Sequence, residues 1–496
     1  MTDQDQQQDQ QQDQQPEERY DLVIVGAGSG NSIVDERFAD QRVLLVDDGE
    51  HFGGTCLNAG CIPTKMLVHV ADVAAGTRDA AALGIRASVD AVDWPAIRAR
   101  VFGRIDAISE GGREWRESGM ANVTLLRESV GFESPGVLVT ASGQRIAADR
   151  IVLAAGSRPR PLQAVYAPDP DIHDSDSIMR IDELPASLLI VGGGYVAAEF
   201  AHVFSHLGVH VTQVARSAHL LGNLDQDVST RFTTLARTQW DVITDCEVEE
   251  IERDGDVLRS RLASGHLVET EAVLVALGRV PNTDTLAVRN AGYDVHEDGR
   301  VVVDDRQRVL AGGEPVPGVF ALGDISADHQ LKHVANHQAR VVQHNLLHPD
   351  ELIGGAPGPV PQAVFSRPQI GSFGLTEAEA REAGPVVTIE QPYSSTAWGW
   401  ALEDTTSFCK LVVDPRDGGT LLGAHIIGSD AAALIQPLLT AASLGQRVTG
   451  LARAQYWPHP AVTEVVENAL LAAESAVADW ARENGAGLAP AGADRP

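Results

Sequence analysis

Cysteine is scarce in this chain, whose 496 residues include only four. That count is too low for the disulfide framework of a small secreted protein. No apolar run approaches the ~20 residues that a membrane-spanning helix needs. Residues 1–19 are rich in Gln and Asp and have neither the basic nor the apolar region of a signal peptide. These absences predict a cytoplasmic protein that does not cross a membrane.

Positive charge is also scarce. The formal net charge is −31, and the only lysines are Lys65, Lys332 and Lys410. Because a strongly acidic protein is repelled by nucleic acids and by anionic membranes, we expect neither as a partner. Aromatic residues make up 5% of the chain, whereas its hydrophobic fraction of 44% is ordinary for a globular protein. The length predicts roughly two to four domains.

Two of the cysteines, Cys56 and Cys61, lie close together in the segment from Gly53 to Lys65. On an ideal helix, residues five apart have Cα atoms roughly 8–9 Å apart. A disulfide needs Cα atoms about 4.4–6.8 Å apart. The two cysteines could therefore bridge only if the backbone is distorted between them. Asn58 and Gly60 would allow this, since both tolerate unusual backbone angles.

A thiol beside a cation is typical of a redox pair, because the positive charge favours the reactive thiolate. A buried structural pair and half of a metal site are the alternatives. Zinc sites usually space their cysteines more closely and need two further ligands, whereas Cys246 and Cys409 are isolated in the sequence. The pattern favours a redox pair and predicts no metal site. In a reducing cytosol such a pair is more often catalytic than structural.

A glycine-rich turn follows the first apolar run, residues 20–25. A helix to about Ala39 and a strand over residues 42–46 are expected next, which makes a β-α-β unit. Asp47 ends the second strand, where an acid can hydrogen-bond the ribose of a dinucleotide. Asn31 stands at the third glycine position of the usual pattern. The glycines of the turn are Gly26, Gly28 and Gly30.

The same pattern recurs over residues 188–214, with a helix to about Leu207 between two apolar strands. An acid after the second strand favours NAD, whereas an arginine favours NADP because it can bind the 2′-phosphate. Arg216 stands there and favours NADPH. Two such units in one chain indicate two nucleotide cofactors, one of which passes electrons to the other. The small residues of the second turn are Gly192, Gly194 and Ala197.

The C-terminal part, from about Pro357, has alternating strand patterns and two predicted helices. One of these helices is expected to begin near Pro460, which would let Glu464 reach the imidazole of His459. A carboxylate on one ring nitrogen fixes the histidine tautomer and stabilises the cation that forms when the other nitrogen takes a proton. A lone histidine is more often structural than catalytic. On this local pattern alone, His459 is therefore no more than a candidate acid–base residue.

Taken together, these features resemble the FAD-dependent pyridine nucleotide–disulfide reductases over about residues 20–475. The resemblance implies an α/β fold with two nested Rossmann-like dinucleotide-binding domains and a C-terminal α+β dimerisation domain. The segments that carry it are Gly53–Cys56, Gly60–Lys65, the two glycine-rich turns, Gly323–Asp324 and His459–Glu464.

Domain boundaries follow from the resemblance and from composition. We expect a disordered tail over residues 1–19, an FAD domain over 20–157, an NADPH domain over 158–285, a return to the FAD domain over 286–355, a dimerisation domain over 356–475 and a flexible tail over 476–496.

The resemblance also implies the roles of individual residues. Cys56 and Cys61 would form a redox disulfide, with Cys56 attacking the substrate and Cys61 facing the flavin. Lys65 would pair with Glu199 near the flavin. His459, oriented by Glu464 and contributed by the partner subunit of a homodimer, would transfer the proton. The implied FAD contacts are Gly26, Gly28, Gly30, Asp47, Gly54, Thr55, Lys65, Gly156, Gly323 and Asp324, and the implied NADPH contacts are Gly192, Gly194, Tyr195, Ala197, Arg216, Gly278 and Arg279.

Residues 28–32, which include Asn31, and residues 331–337, 340–347 and 465–470 are similar to the branch of the family that reduces mycothiol disulfide. That small-molecule disulfide is therefore the predicted substrate, with a role in cell redox homeostasis. A dihydrolipoamide dehydrogenase, which would prefer an acid near Ala215, is the first alternative, and a glutathione-disulfide reductase is the second. One departure concerns NADPH, because the second arginine common in such sites would fall near Gly222.

Overall fold

The computed structural model describes residues 18–485. The tail predictions for residues 1–17 and 486–496 lie outside the described residues. The chain divides into two compact units. Within the described residues, the first unit consists of residues 18–63, Arg100–Pro159 and Arg279–Gly355, and the second consists of Thr64–Ala99, Arg160–Gly278 and residues 356–485.

The first unit contains a six-stranded sheet that is parallel apart from one edge pair. Leu22–Val25 and Val43–Val46 are buried along their whole length, as expected for parallel strands that are covered on both faces. The strand order is Arg308–Ala311, Glu314–Ala321, Ile151–Leu153, Leu22–Val25, Val43–Val46 and Val123–Leu126.

A second sheet of this unit has four strands, and two further strands form a short ribbon. The four-stranded sheet has the order Glu18–Tyr20, Arg145–Ala148, Val137–Thr140 and Val130–Ser134, and the ribbon pairs Ser157–Pro159 with Arg279–Pro281.

The helix predicted between Gly30 and Ala39 is wrong. The structure has two short 3-10 turns there, Gly30–Ser32 and Glu36–Phe38. Asp35 separates them, because its backbone is extended (φ −136°, ψ −167°) and its side chain accepts a hydrogen bond from the N–H of Arg37. Asp35 therefore interrupts the helical path after the first turn and caps the second, so that no continuous helix forms.

The second unit contains a five-stranded parallel sheet and a four-stranded sheet. The helix Tyr195–His206 joins Ser187–Val191 to His210–Val214, which confirms the second predicted β-α-β unit. A hairpin at Gly255 joins Val248–Asp254 to Val257–Leu262. The parallel sheet has the order Ile172–Asp174, Ala272–Val275, Ser187–Val191, His210–Val214 and Asp241–Ile243, and the other sheet has the order Val165–Tyr166, Val248–Asp254, Val257–Leu262 and Leu267–Thr270.

An antiparallel five-stranded sheet completes this unit, and two long helices, Ala431–Ser443 and Glu464–Glu483, pack in one buried cluster with it. Short helices at Glu377–Ala383 and Ala397–Ala401 accompany them, so this region has four α-helices where two were predicted. The strand order is Pro361–Val364, Ile370–Gly374, Thr420–Ile427, Phe408–Asp414 and Val387–Pro392.

Both predicted tails are too long. Glu18–Tyr20 pairs in parallel with Arg145–Ala148, so residues 18 and 19 belong to a sheet. The last helix runs through to Glu483, because Val477 and Ala481, four residues apart on one face, are buried. Residues 476–483 are therefore part of the folded protein.

The other α-helices lie between strands in the sequence. No helix within residues 18–485 is both long and apolar enough to cross a bilayer. The remaining α-helices are Thr55–Asn58, Cys61–Asp79, Trp94–Ser118, Gln226–Ala236 and Lys332–Leu347, and the remaining 3-10 turns are Ile178–Arg180, Val288–Ala291, Gly323–Ile325, Tyr393–Ser395, Arg416–Gly418 and Ala452–Ala454.

Candidate active site

The two cysteines lie on either side of a break between helices. Cys56 is in the helix Thr55–Asn58, and Cys61 begins the helix Cys61–Asp79. The break is at Ala59, whose backbone is not helical (φ −145°, ψ 19°). The predicted distortion is therefore present, although Asn58 itself stays helical.

Two neighbours of the cysteines shape this break. The Asn58 side-chain amide donates hydrogen bonds to the carbonyls of His51, Phe52 and Gly54 at 3.0–3.2 Å. At Gly60 a Cβ atom would lie 3.0 Å from the carbonyl oxygen of Thr55. A small residue at position 60 thus lets the second helix begin directly against the first. The half-buried Cys56 and the exposed Cys61 are consequently presented by a compact turn.

Lys65, on the same helix as Cys61, pairs with Glu199 as the family resemblance implies. Lys65 Nζ lies 2.5 Å from Glu199 Oε2. The other oxygen, Oε1, accepts a hydrogen bond from the backbone N–H of Phe365 at 2.9 Å. The Phe365 ring also lies under the ammonium, 4.9 Å from Nζ to the centroid. Both carboxylate oxygens of the buried Glu199 are therefore engaged, which fixes the position of the Lys65 charge.

His459 Nδ1 lies 2.7 Å from Glu464 Oε1. Since a carboxylate only accepts, Nδ1 carries the hydrogen and Nε2 is left for proton transfer. The His459 side chain is 71% exposed and that of Glu464 only 18%. The helix begins at Glu464 and not near Pro460 as predicted, because residues 461–463 form a turn first. This turn lets the first helical residue reach back to the imidazole.

The first glycine-rich turn forms a backbone cradle at the carboxyl end of the parallel sheet. Gly26 has φ +110°, and a Cβ there would lie 2.2 Å from the carbonyl oxygen of Ala154. Gly54 has φ +78°, and its Cβ would lie 2.6 Å from the Cα of Gly28. Two chain segments thus approach each other backbone to backbone. Such a cradle fits the diphosphate of a dinucleotide, as the FAD prediction requires.

Asp47 follows the strand Val43–Val46, and its carboxylate accepts a hydrogen bond from Arg127 Nη1. Burial raises the pKa of Asp47 to about 6, although Arg127 opposes the shift. Sequence reasoning missed Arg127. The available signal was its position directly after Val123–Leu126, the neighbouring strand, whose carboxyl end lies at the same edge of the sheet.

Asp324 lies in the turn that begins at Gly323. Its Oδ2 accepts a hydrogen bond from the hydroxyl of Ser157 at 2.7 Å. Ser157 Oγ in turn accepts one from Arg279 Nε at 2.8 Å. The resemblance implies that Arg279 is an NADPH contact. In the structure Arg279 binds Ser157, and Ser157 binds Asp324, a predicted FAD contact. Gly156, beside Ser157, has φ +66°.

The second glycine-rich turn forms a similar cradle in the other unit. A Cβ on Gly192 would lie 2.2 Å from the carbonyl oxygen of Ala276, whereas a Cβ on Gly194 would meet no atom within 4 Å. Gly194 caps the twelve-residue helix Tyr195–His206. The helix N-terminus offers unpaired N–H groups and a positive dipole end, which fit a diphosphate. Ala197 is buried and Tyr195 is 46% exposed.

Arg216, after the strand His210–Val214, is solvent-exposed, and its Nε lies 3.8 Å from Glu247 Oε1. An exposed guanidinium at this place fits a 2′-phosphate. Gly278, the last residue of the segment Arg160–Gly278 of the same unit, has φ +93°. Within residues 18–485 no group of three or more His, Cys, Asp or Glu side chains could hold a metal ion.

Comparison with known proteins identifies relatives along almost the whole chain. The profile of the pyridine nucleotide-disulphide oxidoreductases matches residues 20–339, and that of their dimerisation domain matches residues 360–470. Mycothione reductase of Mycobacterium tuberculosis is 48% identical over 92% of this chain and 99% of its own length.

Two further similarities are more distant. Dihydrolipoyl dehydrogenase of Chlamydia muridarum is 31% identical over 92% of this chain and 98% of its own length. The solved structure of the HOCl-induced flavoprotein disulfide reductase RclA from Escherichia coli has a TM-score of 0.79 at 26% identity, and the match covers 91% of this chain and 99% of that one. The predicted fold class is thereby confirmed.

Proposed function

Because the chain belongs to the pyridine nucleotide-disulphide oxidoreductase family and is thus a disulfide reductase that uses FAD and a pyridine nucleotide, we propose that it reduces mycothiol disulfide with NADPH. The observation that carries the choice of substrate is the 48% identity, over nearly the full length, to a mycothione reductase. The identity to a dihydrolipoyl dehydrogenase over the same share of the chain is 31%.

In the proposed reaction one disulfide is exchanged for two thiols. When bound, FAD would supply the electron pair of the nucleotide to the Cys56–Cys61 disulfide, which would open to two thiols. The Cys56 thiolate then attacks one sulfur of the substrate, which forms a mixed disulfide and releases the first thiol. Cys61 attacks Cys56, re-forms the Cys56–Cys61 bond and releases the second thiol. Each exchange is fastest when the attacking sulfur is a thiolate and the leaving sulfur is protonated.

His459 supplies the protons in this proposal. Its Nδ1 is held by Glu464 at 2.7 Å, so Nε2 can take the proton of Cys56 and return it to the departing thiol. The histidine that serves each Cys56 would come from the partner subunit. Two observations support this: the match to the family's dimerisation domain and the 71% exposure of the His459 side chain in the single chain.

NADPH rather than NADH is part of the proposal. The exposed Arg216 and the absence of an acid at Ala215 favour a 2′-phosphate over a free ribose hydroxyl. A cytoplasmic location is also proposed, since reduced pyridine nucleotides are available there. Gly222 in place of a second arginine predicts a modest preference for NADPH.

A steady-state comparison tests the substrate. The purified protein should turn over mycothiol disulfide with a kcat/KM well above those for glutathione disulfide and lipoamide, each measured with NADPH and with NADH. A preference for lipoamide and NAD(H) would instead support the dihydrolipoyl dehydrogenase alternative.

A cysteine pair of variants tests the chemistry. Cys56→Ser should lower disulfide turnover more than about a thousandfold, since a nucleophile is lost, while NADPH still bleaches the flavin absorbance. Cys246→Ser is the matched control, because Cys246 already lies beside a polar group, Ser264 Oγ, at 3.6 Å. Residual turnover in Cys56→Ser at the normal rate would contradict the assigned role.

A further inference from the structure

The first dinucleotide-binding turn lacks the helix that normally follows it. A diphosphate is usually held at a helix N-terminus, where the dipole favours negative charge. The second unit has a helix of twelve residues there, whereas the first has only the 3-10 turn Gly30–Ser32. The carbonyl end of a single turn lies only about 5 Å from its N–H end. The negative end of so short a dipole largely cancels the positive end.

A buried cation lies at the carbonyl end of this turn. Arg116, in the last turn of the helix Trp94–Ser118, is 3% exposed. Its Nε donates to Asn31 Oδ1 at 2.6 Å, and its Nη2 donates to the carbonyls of Asn31 and Val34. No carboxylate pairs with Arg116 among residues 18–485. The guanidinium therefore neutralises the negative end of the turn and adds positive charge behind the cradle.

A second cation lies at the opposite end, where the diphosphate belongs. Lys332 Nζ donates to the hydroxyl of Ser29 at 2.9 Å. Ser29 occupies the N-cap position of the turn Gly30–Ser32, but its side chain makes no capping hydrogen bond. Lys332 is also the first residue of the helix Lys332–Leu347, a position where a cation opposes the helix dipole. In the part of the chain that the structure describes, no carboxylate pairs with it.

The unfavourable placement of both charges has one explanation in common. A buried guanidinium without a carboxylate and a lysine at a helix N-terminus both lower stability unless an anion compensates them. Both contact the same short turn, and that turn belongs to the FAD cradle. A lysine is moreover a rare residue in this chain.

We propose that Lys332 binds the diphosphate of FAD together with Ser29, and that Arg116 is a positioning residue that holds the turn through Asn31. The two cations replace the missing helix. Asn31 stands in place of the third glycine because its side chain supplies the acceptor for Arg116. The inference requires only that the first unit binds FAD, and it does not depend on the identity of the disulfide substrate.

The test uses the FAD-loaded protein. Lys332→Met should raise the dissociation constant of FAD on the order of tenfold, because a charge-assisted contact is lost. It should also shift the ³¹P resonances of the bound diphosphate. Lys332→Arg should keep the affinity within about threefold, and Arg340→Gln, which removes an exposed cation from the same helix, should change neither quantity. Lys332→Met with unaltered affinity and resonances would overturn the proposal.

A double-variant cycle tests whether Ser29 and Lys332 act together. If they share one anion, Ser29→Ala/Lys332→Met should weaken FAD binding by less than the sum of the two single effects. Full additivity would contradict a shared site. A protein that binds FAD but reduces no disulfide would refute the proposed function alone, whereas a protein that binds no FAD would refute both.

Discussion

At the scale of the residue, the proposed proton transfer by His459 depends on one carboxylate. Glu464→Gln can still accept the Nδ1–H hydrogen bond, but it brings no charge to stabilise an imidazolium. We expect kcat to fall roughly a hundredfold while the flavin is still reduced by NADPH. Stopped-flow measurement of the two half-reactions checks this. Glu467→Gln, one turn further along the same helix, is the control, and an unchanged kcat in Glu464→Gln would remove the carboxylate from the mechanism.

Asp47 should make FAD binding depend on pH. Burial raises its pKa to about 6 in the folded protein, and only the ionised carboxylate can accept both from Arg127 and from ribose hydroxyls. FAD affinity should therefore fall by up to about tenfold per pH unit below 6. Fluorescence of released flavin between pH 5 and 8 measures this. In Asp47→Asn the affinity should be lower and nearly independent of pH in that range.

The same raised pKa has an effect of opposite sign on the protein without FAD. Since the folded state keeps the proton more strongly than the unfolded state does, the free energy of unfolding should decrease as the pH rises from about 4 to 6. Asp48→Asn, which leaves the Asp47–Arg127 contact in place, should retain most of both pH dependences.

At the scale of the element, we expect the second glycine-rich turn to contain one glycine needed for folding and another needed for the proposed binding of NADPH. Gly192→Ala should lower stability by about 2–4 kcal/mol, because its φ is +144° and its Cβ would lie 2.2 Å from a carbonyl oxygen. Gly194→Ala meets no atom within 4 Å and should fold normally, yet weaken NADPH binding by occupying the open cradle. Thermal unfolding and calorimetric NADPH titration distinguish the two. Tight NADPH binding by Gly194→Ala would contradict this assignment.

Three elements of the second unit are joined by the buried Lys410. Its Nζ lies 2.8 Å from Asp225 Oδ1, 2.5 Å from Asp227 Oδ2 and 2.8 Å from Glu377 Oε2. Burial lowers the pKa of Lys410, but the carboxylates outweigh it, and the ammonium stays protonated. These contacts connect the strand Phe408–Asp414 to the N-termini of two helices.

Lys410→Met should therefore be strongly destabilising. It would leave Asp225, which is 1% exposed, as an unpaired buried charge, at a cost of about 3–5 kcal/mol. Urea unfolding measures the difference. Arg416→Gln is the control. Arg416 follows the same strand and forms an exposed ion pair with Asp414, so its loss should lower the free energy of unfolding by less than about 1 kcal/mol. Equal stability of Lys410→Met and the unaltered protein would refute this account.

At the scale of the whole molecule, the proposed homodimer divides each active site between two chains. Cys56→Ser and His459→Ala are each expected to be inactive. A mixed dimer would contain one intact site, so random mixing should restore at most about a quarter of the normal activity. Two affinity tags can isolate the mixed dimers, and confirmed mixed dimers without activity would show that sites are not shared.

Expectations about the fold succeeded where the signal was local. Gly26 and Gly192 were recognised because a tight turn directly after a buried strand needs backbone angles that only glycine adopts readily. The interrupted backbone between Cys56 and Cys61 followed from their spacing together with the distance that a disulfide needs. The expected helix over residues 30–39 failed because the capping role of Asp35 was hidden in an otherwise helix-compatible stretch. The roles assigned to the site residues stay predictions.

The sequence by itself determined the family, the two nucleotide-binding turns and the cysteine pair, since each depends on residues a few positions apart. Only the tertiary structure decided which distant side chains complete them. Arg127 reaches Asp47, Phe365 fixes Glu199, and Lys332 reaches Ser29 from 303 residues away. Such partners have no common sequence pattern, because they meet only when folding brings loops from separate strands and helices to one edge of a sheet.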